Sequence, residues 1–311
     1  MFIDSSVRDN LSVYRQAFES ARPFRHVVID RFFVPDRATE LLQHFPAFDP
    51  DRAIAETGTV GGKAVNEDLA SMGDVYRRLA EYLDGREFLD TISALTGIEN
   101  LINDPTFYGG GTHENLHGQE LDPHVDFNID ERAWYYRRLN LLLYLNPSWE
   151  EEWGGALEIH SNPRDPDKNR ILSFAPLFNR CILFETHDSS WHGFSKIQLP
   201  EDKRDLSRKS ISIYLYTKEP PNGKAIASHT TFYVHRPLPE SIRPGRVLTE
   251  ADYQQIQTLL QRRDDLIRFY QDREISESYS SVSFKSRVKR YLSLRYPRAW
   301  QIIADLRRSR R

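Results

Sequence analysis

A chain of 311 residues with 39% apolar and 12% aromatic content can bury a substantial core, enough for one large domain or two small ones, so disorder is not expected. Charge is nearly balanced at −3, which argues against a surface built as a whole for nucleic acid, and the single cysteine, Cys181, excludes both an internal disulfide framework and a cysteine-based zinc cluster. No apolar stretch reaches the length of a signal peptide or a bilayer span, so a cytoplasmic location is expected.

Residues 24–30 read as a short strand, after which Pro35-Asp36 opens an amphipathic helix carrying Leu41, Leu42 and Phe45, with Asp36 as the expected N-cap. Two more helices are predicted over 74–83 and 86–95, divided by Gly85 and closed by Gly97. A strand-rich region follows, with β-branched or aromatic runs at 139–145, 156–160, 181–185, 210–216 and 231–235. Turn signals such as Asn146-Pro147, Gly154-Gly155 and Asn222-Gly223 separate them. Many short strands with polar turns favour a barrel or a double-sheet jelly roll. From Leu248 onward the chain is helical and highly charged. The expected architecture is α+β: an N-terminal strand with supporting helices over 1–97, a jelly-roll core over 98–236 and a charged helical extension over 237–311.

Residues 282–311 hold ten Lys or Arg against one acid, Asp305, together with Tyr291, Leu294, Trp300, Ile302 and Ile303. Such a segment is not merely a solvated charge run. Docking against its own domain is the favoured expectation, with an anionic membrane surface or nucleic acid as the alternative partners.

Two metal-binding patterns lie within a dozen residues of one another. His113-Glu114-Asn115-Leu116-His117 matches the H-E-x-x-H pattern of zinc peptidases, whose chemistry needs a helix to bring positions i and i+4 onto one face. Here Gly109-Gly110-Gly111 precedes it, and Gly118 and Pro123 follow, so the helix it requires is not expected. The second pattern is His124-Val125-Asp126 with a distant partner in His192. On a strand, residues i and i+2 point to one side, so the His124 imidazole and the Asp126 carboxylate converge. Two histidines and one carboxylate on one face of an octahedral metal leave three positions open, the arrangement of non-haem iron(II) oxygenases.

The surrounding residues extend that second pattern. His124-Val125-Asp126-Phe127 is followed by the run from Leu139 to Asn146, then Trp153-Gly154-Gly155-Ala156-Leu157-Glu158, Trp191-His192-Gly193 and Arg208-Lys209-Ser210-Ile211. In order and type these stretches resemble the prolyl-4-hydroxylase-like branch of the iron(II)/2-oxoglutarate dioxygenases, a likeness running from Phe107 to Tyr216 with a further echo at 24–33. The resemblance implies a double-stranded β-helix, iron(II) held by His124, Asp126 and His192, and 2-oxoglutarate and dioxygen as cosubstrates. Ascorbate is an optional auxiliary. The far carboxylate of 2-oxoglutarate needs a buried cation; Arg208 is the choice, because a guanidinium grips a carboxylate in two parallel bonds and Ser210 shares its side of the strand. The step from His192 to Arg208 is longer than in most relatives and holds the polar insert 200–205, so Arg204 stays a rival. Tyr108 is a further candidate cosubstrate contact, or simply the end of a strand.

Trp134, Arg137 and Arg138 are candidate substrate contacts, although two arginines can equally flank a strand to solvate it. His187 reads as a surface histidine, and Asn140 and Glu158 as candidates for the barrel interior. The presence of Asp126 favours hydroxylation over halogenation, which in related enzymes replaces this carboxylate. The expected activity is therefore C–H hydroxylation, with a small molecule as the favoured substrate because no separate peptide-binding module is evident. The alternatives are a peptidyl (prolyl-type) hydroxylase, a non-redox sugar-binding jelly roll, and the zinc peptidase.

Overall fold

The computed structural model describes residues 1–53, 63–224, 226–239 and 242–295; side chains at 251, 273 and 275–295 lie outside that description. Helices α1 (Ser5–Asp9) and α2 (Leu11–Ser20) lead into β1 (His26–Ile29), α3 (Pro35–Gln43), β2 (Ala64–Asn66), α4 (Asp74–Leu83) and α5 (Arg86–Thr96). The strand-rich region then runs through β3 (Ile102–Asn103), β4 (Gly111–Asn115), β5 (Leu121–Val125), β6 (Ile129–Asp130) and β7 (Tyr135–Tyr144). It continues through β8 (Leu157–His160), β9 (Ile171–Phe174), β10 (Arg180–Glu185), β11 (His192–Phe194), β12 (Arg208–Thr217) and β13 (Phe232–Tyr233), and α6 (Glu250–Arg295) follows.

Among the described residues all strand pairs are antiparallel, and they build two sheets. The larger has the order β1-β10-β7-β12-β4-β2, with β3 added on β12 and β6 on β7; the smaller has the order β13-β5-β11-β8-β9. This is the double-sheet α+β architecture expected from the turn spacing, consistent with a double-stranded β-helix core. The two-residue period of each strand then sorts the side chains. Leu139, Leu141 and Leu143 of β7, Cys181 and Leu183 of β10, and Ile211, Ile213 and Leu215 of β12 share one cluster with Leu41, Leu79, Leu83, Phe88, Ile92 and Leu95 of α3 to α5. Each such buried side chain contributes about 1.5–3 kcal/mol. The N-terminal segment is thus continuous with the core of the sheets. The alternate positions, Asn140, Leu142 and Tyr144, Ile182 and Phe184, and Arg208, Ser210 and Ser212, face the other way, where Leu157 and Ile159 of β8 close a second cluster.

Three local expectations change. Asp36 is not the cap of α3; Val34 occupies that position, Pro35 is the first helical residue, and Asp36 sits in the first turn, where its charge complements the helix dipole. Helices α1 and α2 were illegible because each buries a single residue, Val7 and Phe18, too few to show a period. Glu158 lies on the face of β8 opposite Leu157 and Ile159, paired with Arg236 (2.6 Å) and His160 (3.3 Å), so it is not directed between the sheets. Cys181 is fully buried and burial pushes its thiol well up, which leaves it an inert core thiol.

The chain forms two compact units, Met1–Leu238 and Pro239–Arg311. In the second, Thr249 and Asp252 form a reciprocal cap at the start of α6: Asp252 Oδ2 accepts from the Thr249 amide (2.9 Å), and Thr249 Oγ1 accepts from the Asp252 amide (3.2 Å). The expected docking of the basic tail falls outside the described residues. No described helix is long and apolar enough to cross a membrane.

Candidate metal centre

Strands β5 and β11 pair so that His124 lies directly opposite His192. That approach depends on Gly193, where an added Cβ would meet the Leu121 carbonyl oxygen at 2.6 Å; only glycine lets β11 lie this close. Asp126 follows just beyond β5 on the side of His124. The ligand atoms of His124, Asp126 and His192 all lie within 4.8 Å of one another, and no other group of three potential ligands does so among the described residues. His192 Nε2 is 3.3 Å from Asp126 Oδ2, and His124 Nε2 is 3.7 Å from Asp126 Oδ1.

Both imidazoles are oriented by their own backbone. His124 Nδ1 donates to the Asp122 carbonyl (3.0 Å) and His192 Nδ1 to the Ser190 carbonyl (2.9 Å). Each ring therefore turns a bare Nε2 lone pair inward. Phe184 packs on His192 at 4.6 Å and Tyr233 on His124 at 5.2 Å, fixing the ring planes. Burial would raise the Asp126 carboxyl, but Arg137, then His192 and His124, hold it well below the usual carboxylate range. Burial pushes His124 down to about 3, with the neighbouring His192 adding to the shift. Two imidazoles and one carboxylate on adjoining strands are the donor set that suits iron(II), and with the family match reported below they support iron(II) and 2-oxoglutarate as cofactors.

Asp126 Oδ2 is also held by two further side chains. Asn140 Nδ2 donates to Oδ2 (2.7 Å), and Arg137 Nη2 lies 3.1 Å from the same atom. Arg137 also donates from Nε (2.9 Å) and Nη2 (2.7 Å) to Asn140 Oδ1. Its guanidinium lies over the rings of Tyr214 (3.6 Å) and Phe127 (4.6 Å). The three candidate substrate contacts are therefore dispersed. Arg137 lies against the metal carboxylate; Arg138, one residue on, points to the opposite face and reaches Thr217 (3.4 Å) and Glu185 (3.9 Å); Trp134 is 67% exposed in the turn after β6.

Arg208 is 4% exposed, and no carboxylate of the described residues pairs with it. Its Nε donates to the Gly155 carbonyl (2.6 Å) and its Nη2 to the Tyr144 hydroxyl (3.0 Å), while Phe194 covers it at 4.3 Å. Burial lowers its pKa, partly offset by Tyr144. A cation in such surroundings calls for an anion. Ser210 faces the same side and pairs across the strands with Tyr144 and His113. The rival, Arg204, is exposed in the 200–205 insert. Tyr108 does not end a strand. It sits in a turn at the rim, 48% exposed, against Phe127 (6.0 Å) and beneath the Arg132 guanidinium (4.1 Å).

His113 and Glu114 lie on β4, a strand, so they point to opposite sides. His113 is engaged with the Gly109 carbonyl (3.1 Å) and Ser212 (3.0 Å), Glu114 with Lys209 (2.9 Å), and His117 Nδ1 accepts from the Leu199 amide (3.0 Å). The zinc peptidase reading is therefore excluded. His187 is exposed and outside the cluster. Sequence reasoning missed Tyr144, although it follows Asn140 by four residues in the same strand phase. It also missed the bond from Asn140 to Asp126, which no local pattern announces.

Several buried histidines are held neutral. His113 lies well below its ordinary value, chiefly through burial, and His26 is lowered for the same reason. Native and unfolded forms then differ: below the ordinary value of 6.5 an unfolded His124 binds a proton that the native one refuses until about 3. Stability from these groups is present above that ordinary value and is lost as pH falls below it. Thermal melts of the metal-free protein, held with a chelator, should show a falling Tm between about pH 7.5 and pH 5, above the range where Asp126 titrates. A flat or rising Tm would contradict this assignment of neutral histidines.

Residues 110–216 match the 2OG-Fe(II) oxygenase superfamily. In sequence the chain is similar to prolyl 3-hydroxylase OGFOD1 of Mus musculus, 29% identical over 145 residues, which is 42% of this chain and 24% of that protein. The chain thus spans about a quarter of the length of that relative. Among solved structures it is similar to a prolyl 4-hydroxylase from Phytophthora capsici (17% identity, TM-score 0.49, covering 97% of this chain and 93% of that one). It is also similar to a Trichoplax adhaerens prolyl hydroxylase in complex with a hypoxia inducible factor oxygen degradation domain peptide fragment (18%, TM-score 0.48, covering 69% and 93%). The small-molecule substrate expected from the sequence does not stand, because a relative similar in sequence is a prolyl 3-hydroxylase. That expectation leaned on the lack of a separate peptide module, which a peptide lying at the mouth of a jelly roll does not need. The match to the 2OG-Fe(II) oxygenase superfamily over 110–216 contains all three residues of the converging triad, so the family likeness and the site fall on the same stretch of chain.

Proposed function

We propose that this protein is a peptidyl hydroxylase that oxidises a prolyl residue. The observation that carries the reading is the sequence similarity to a prolyl 3-hydroxylase. An open rim supports it: Tyr108 and Phe127 form an aromatic step beside Asp126, a surface suited to a pyrrolidine ring. Bound iron(II) supplies the coupling in which 2-oxoglutarate and dioxygen yield succinate and carbon dioxide while one oxygen atom enters a C–H bond. The chain's own part is positional. His124, Asp126 and His192 offer three donors on one side and leave the opposite side free. Arg208 and Tyr144 present a guanidinium and a hydroxyl for the far carboxylate of the cosubstrate. Phe184 and the aliphatic side chains of the second cluster keep water from the interior.

The test is incubation of the full chain with iron(II), 2-oxoglutarate and pools of proline-containing peptides. Succinate formation should be stimulated, and the peptide should gain the mass of one oxygen atom on proline. The same peptide with alanine in that place should do neither. If iron(II) and 2-oxoglutarate bind normally but no proline peptide stimulates turnover, the peptidyl reading falls while the oxygenase assignment stands.

A further inference from the structure

The Asp126 carboxylate is held in a closed triangle of side chains. Asn140 donates from Nδ2 to Asp126 Oδ2 and accepts at Oδ1 from Arg137, while Arg137 lies against the same Asp126 oxygen. Two donors, Asn140 and Arg137, converge on Oδ2, an oxygen that His192 Nε2 also approaches at 3.3 Å, while Oδ1 faces His124 Nε2 at 3.7 Å and stays available to a metal. The triangle is braced: Arg137 is 3% exposed and lies against two aromatic rings, and Tyr214, one of them, donates its hydroxyl to the Gly109 carbonyl (2.8 Å). A fixed cation beside a divalent metal opposes metal binding by simple Coulomb repulsion even as it keeps the buried carboxylate ionised, so the distinctive product of these contacts is the orientation of the carboxylate.

We propose that Asn140 and Arg137 act as positioning residues that lock Asp126 into one-oxygen ligation, so that its second oxygen does not chelate the metal and fill a position the cosubstrate or dioxygen needs. Without the lock, Asp126 can turn about its side-chain bonds and bind through both oxygens. The inference rests on the metal reading of the triad and not on the class of substrate.

The unsubstituted protein supplies the first test. The infrared difference between metal-loaded and metal-free chain should show the wide separation of carboxylate stretches typical of one-oxygen ligation; the narrow separation of a chelating carboxylate overturns the proposal. The second test uses Asn140→Ala and Arg137→Met loaded with cobalt(II). Each should bind cobalt within about tenfold of the parent, show an altered visible spectrum, and take up 2-oxoglutarate roughly tenfold or more weakly. Asn140→Ser, a smaller perturbation that still removes the amide donor, replaces Asn140→Ala if circular dichroism shows the latter unfolded. Unchanged spectra with unchanged 2-oxoglutarate binding overturn the proposal. So does outright loss of cobalt, since the triangle would then serve metal binding itself.

Discussion

Replacing His192 with alanine is expected to lower metal affinity by more than about 100-fold, the upper end of what loss of a merely supporting residue costs, and to abolish 2-oxoglutarate turnover with it. The protein has three donors in reach of one point, and no described neighbour can substitute, because His113 and Glu114 are committed to other partners on β4 and β12. Asp126→Ala should lose metal as well, but by a second route it should also lose stability. It strips the buried Arg137 of its carboxylate, and breaking a buried pair from one side costs about 3–5 kcal/mol. Glu114→Gln should keep its metal. Metal titration and thermal melts of these variants separate the cases, and metal retained in His192→Ala but lost in His113→Ala would sink the assignment.

Loss of Arg208, the proposed cosubstrate anchor, should be nearly as severe. Arg208→Met is expected to weaken 2-oxoglutarate binding by about 1.5–3 kcal/mol, the range for a hydrogen bond to a charged group. The same change should leave the Tm of the protein without 2-oxoglutarate unchanged or higher, because it removes a buried guanidinium that no described carboxylate neutralises and puts an unbranched apolar chain beside Phe194. This pairing of weaker binding with undiminished stability is the mark of a binding cation; a structural arginine would lose both. Arg204→Ala, at an exposed site, should change neither. Isothermal titration with 2-oxoglutarate in the metal-loaded variants would decide it, and an unaffected Arg208→Met would remove Arg208 from the site.

What the sequence conveyed, and what it withheld, follows from how far apart the interacting residues lie. His124 and Asp126 were legible because a strand's two-residue period brings neighbours in sequence to one side. His192 was found through the flanking Trp191 and Gly193, and the need for Gly193 is now visible as a close approach to Leu121. The helices over α4 and α5 were marked by strong periods and by glycines at their ends. Arg137, by contrast, reads in sequence as one of five aromatic or cationic residues in a row. Its role arises only when β7 lies beside Asp126 and places Asn140 between them, a contact across 14 residues that composition cannot signal. Tyr144 was hidden for a similar reason: in a run of leucines it looks like core, and its hydroxyl acquires meaning only from Arg208, 64 residues away.

The pairing of β1 with β10 carries a consequence for how the molecule is made. Arg25 meets Glu185 across 160 residues of chain, and Phe33 meets Asn179 across 146. During synthesis the first strand and its helices emerge long before their partners exist, and closing so long a loop is slow. Until β10 arrives, the apolar face of α3 to α5 has no sheet to cover, and once β10 has paired with β7 its outer edge stays open until β1 docks. The nascent chain is therefore most exposed to wrong strand addition at 180–185, and the docking of β1 is the step that ends that interval.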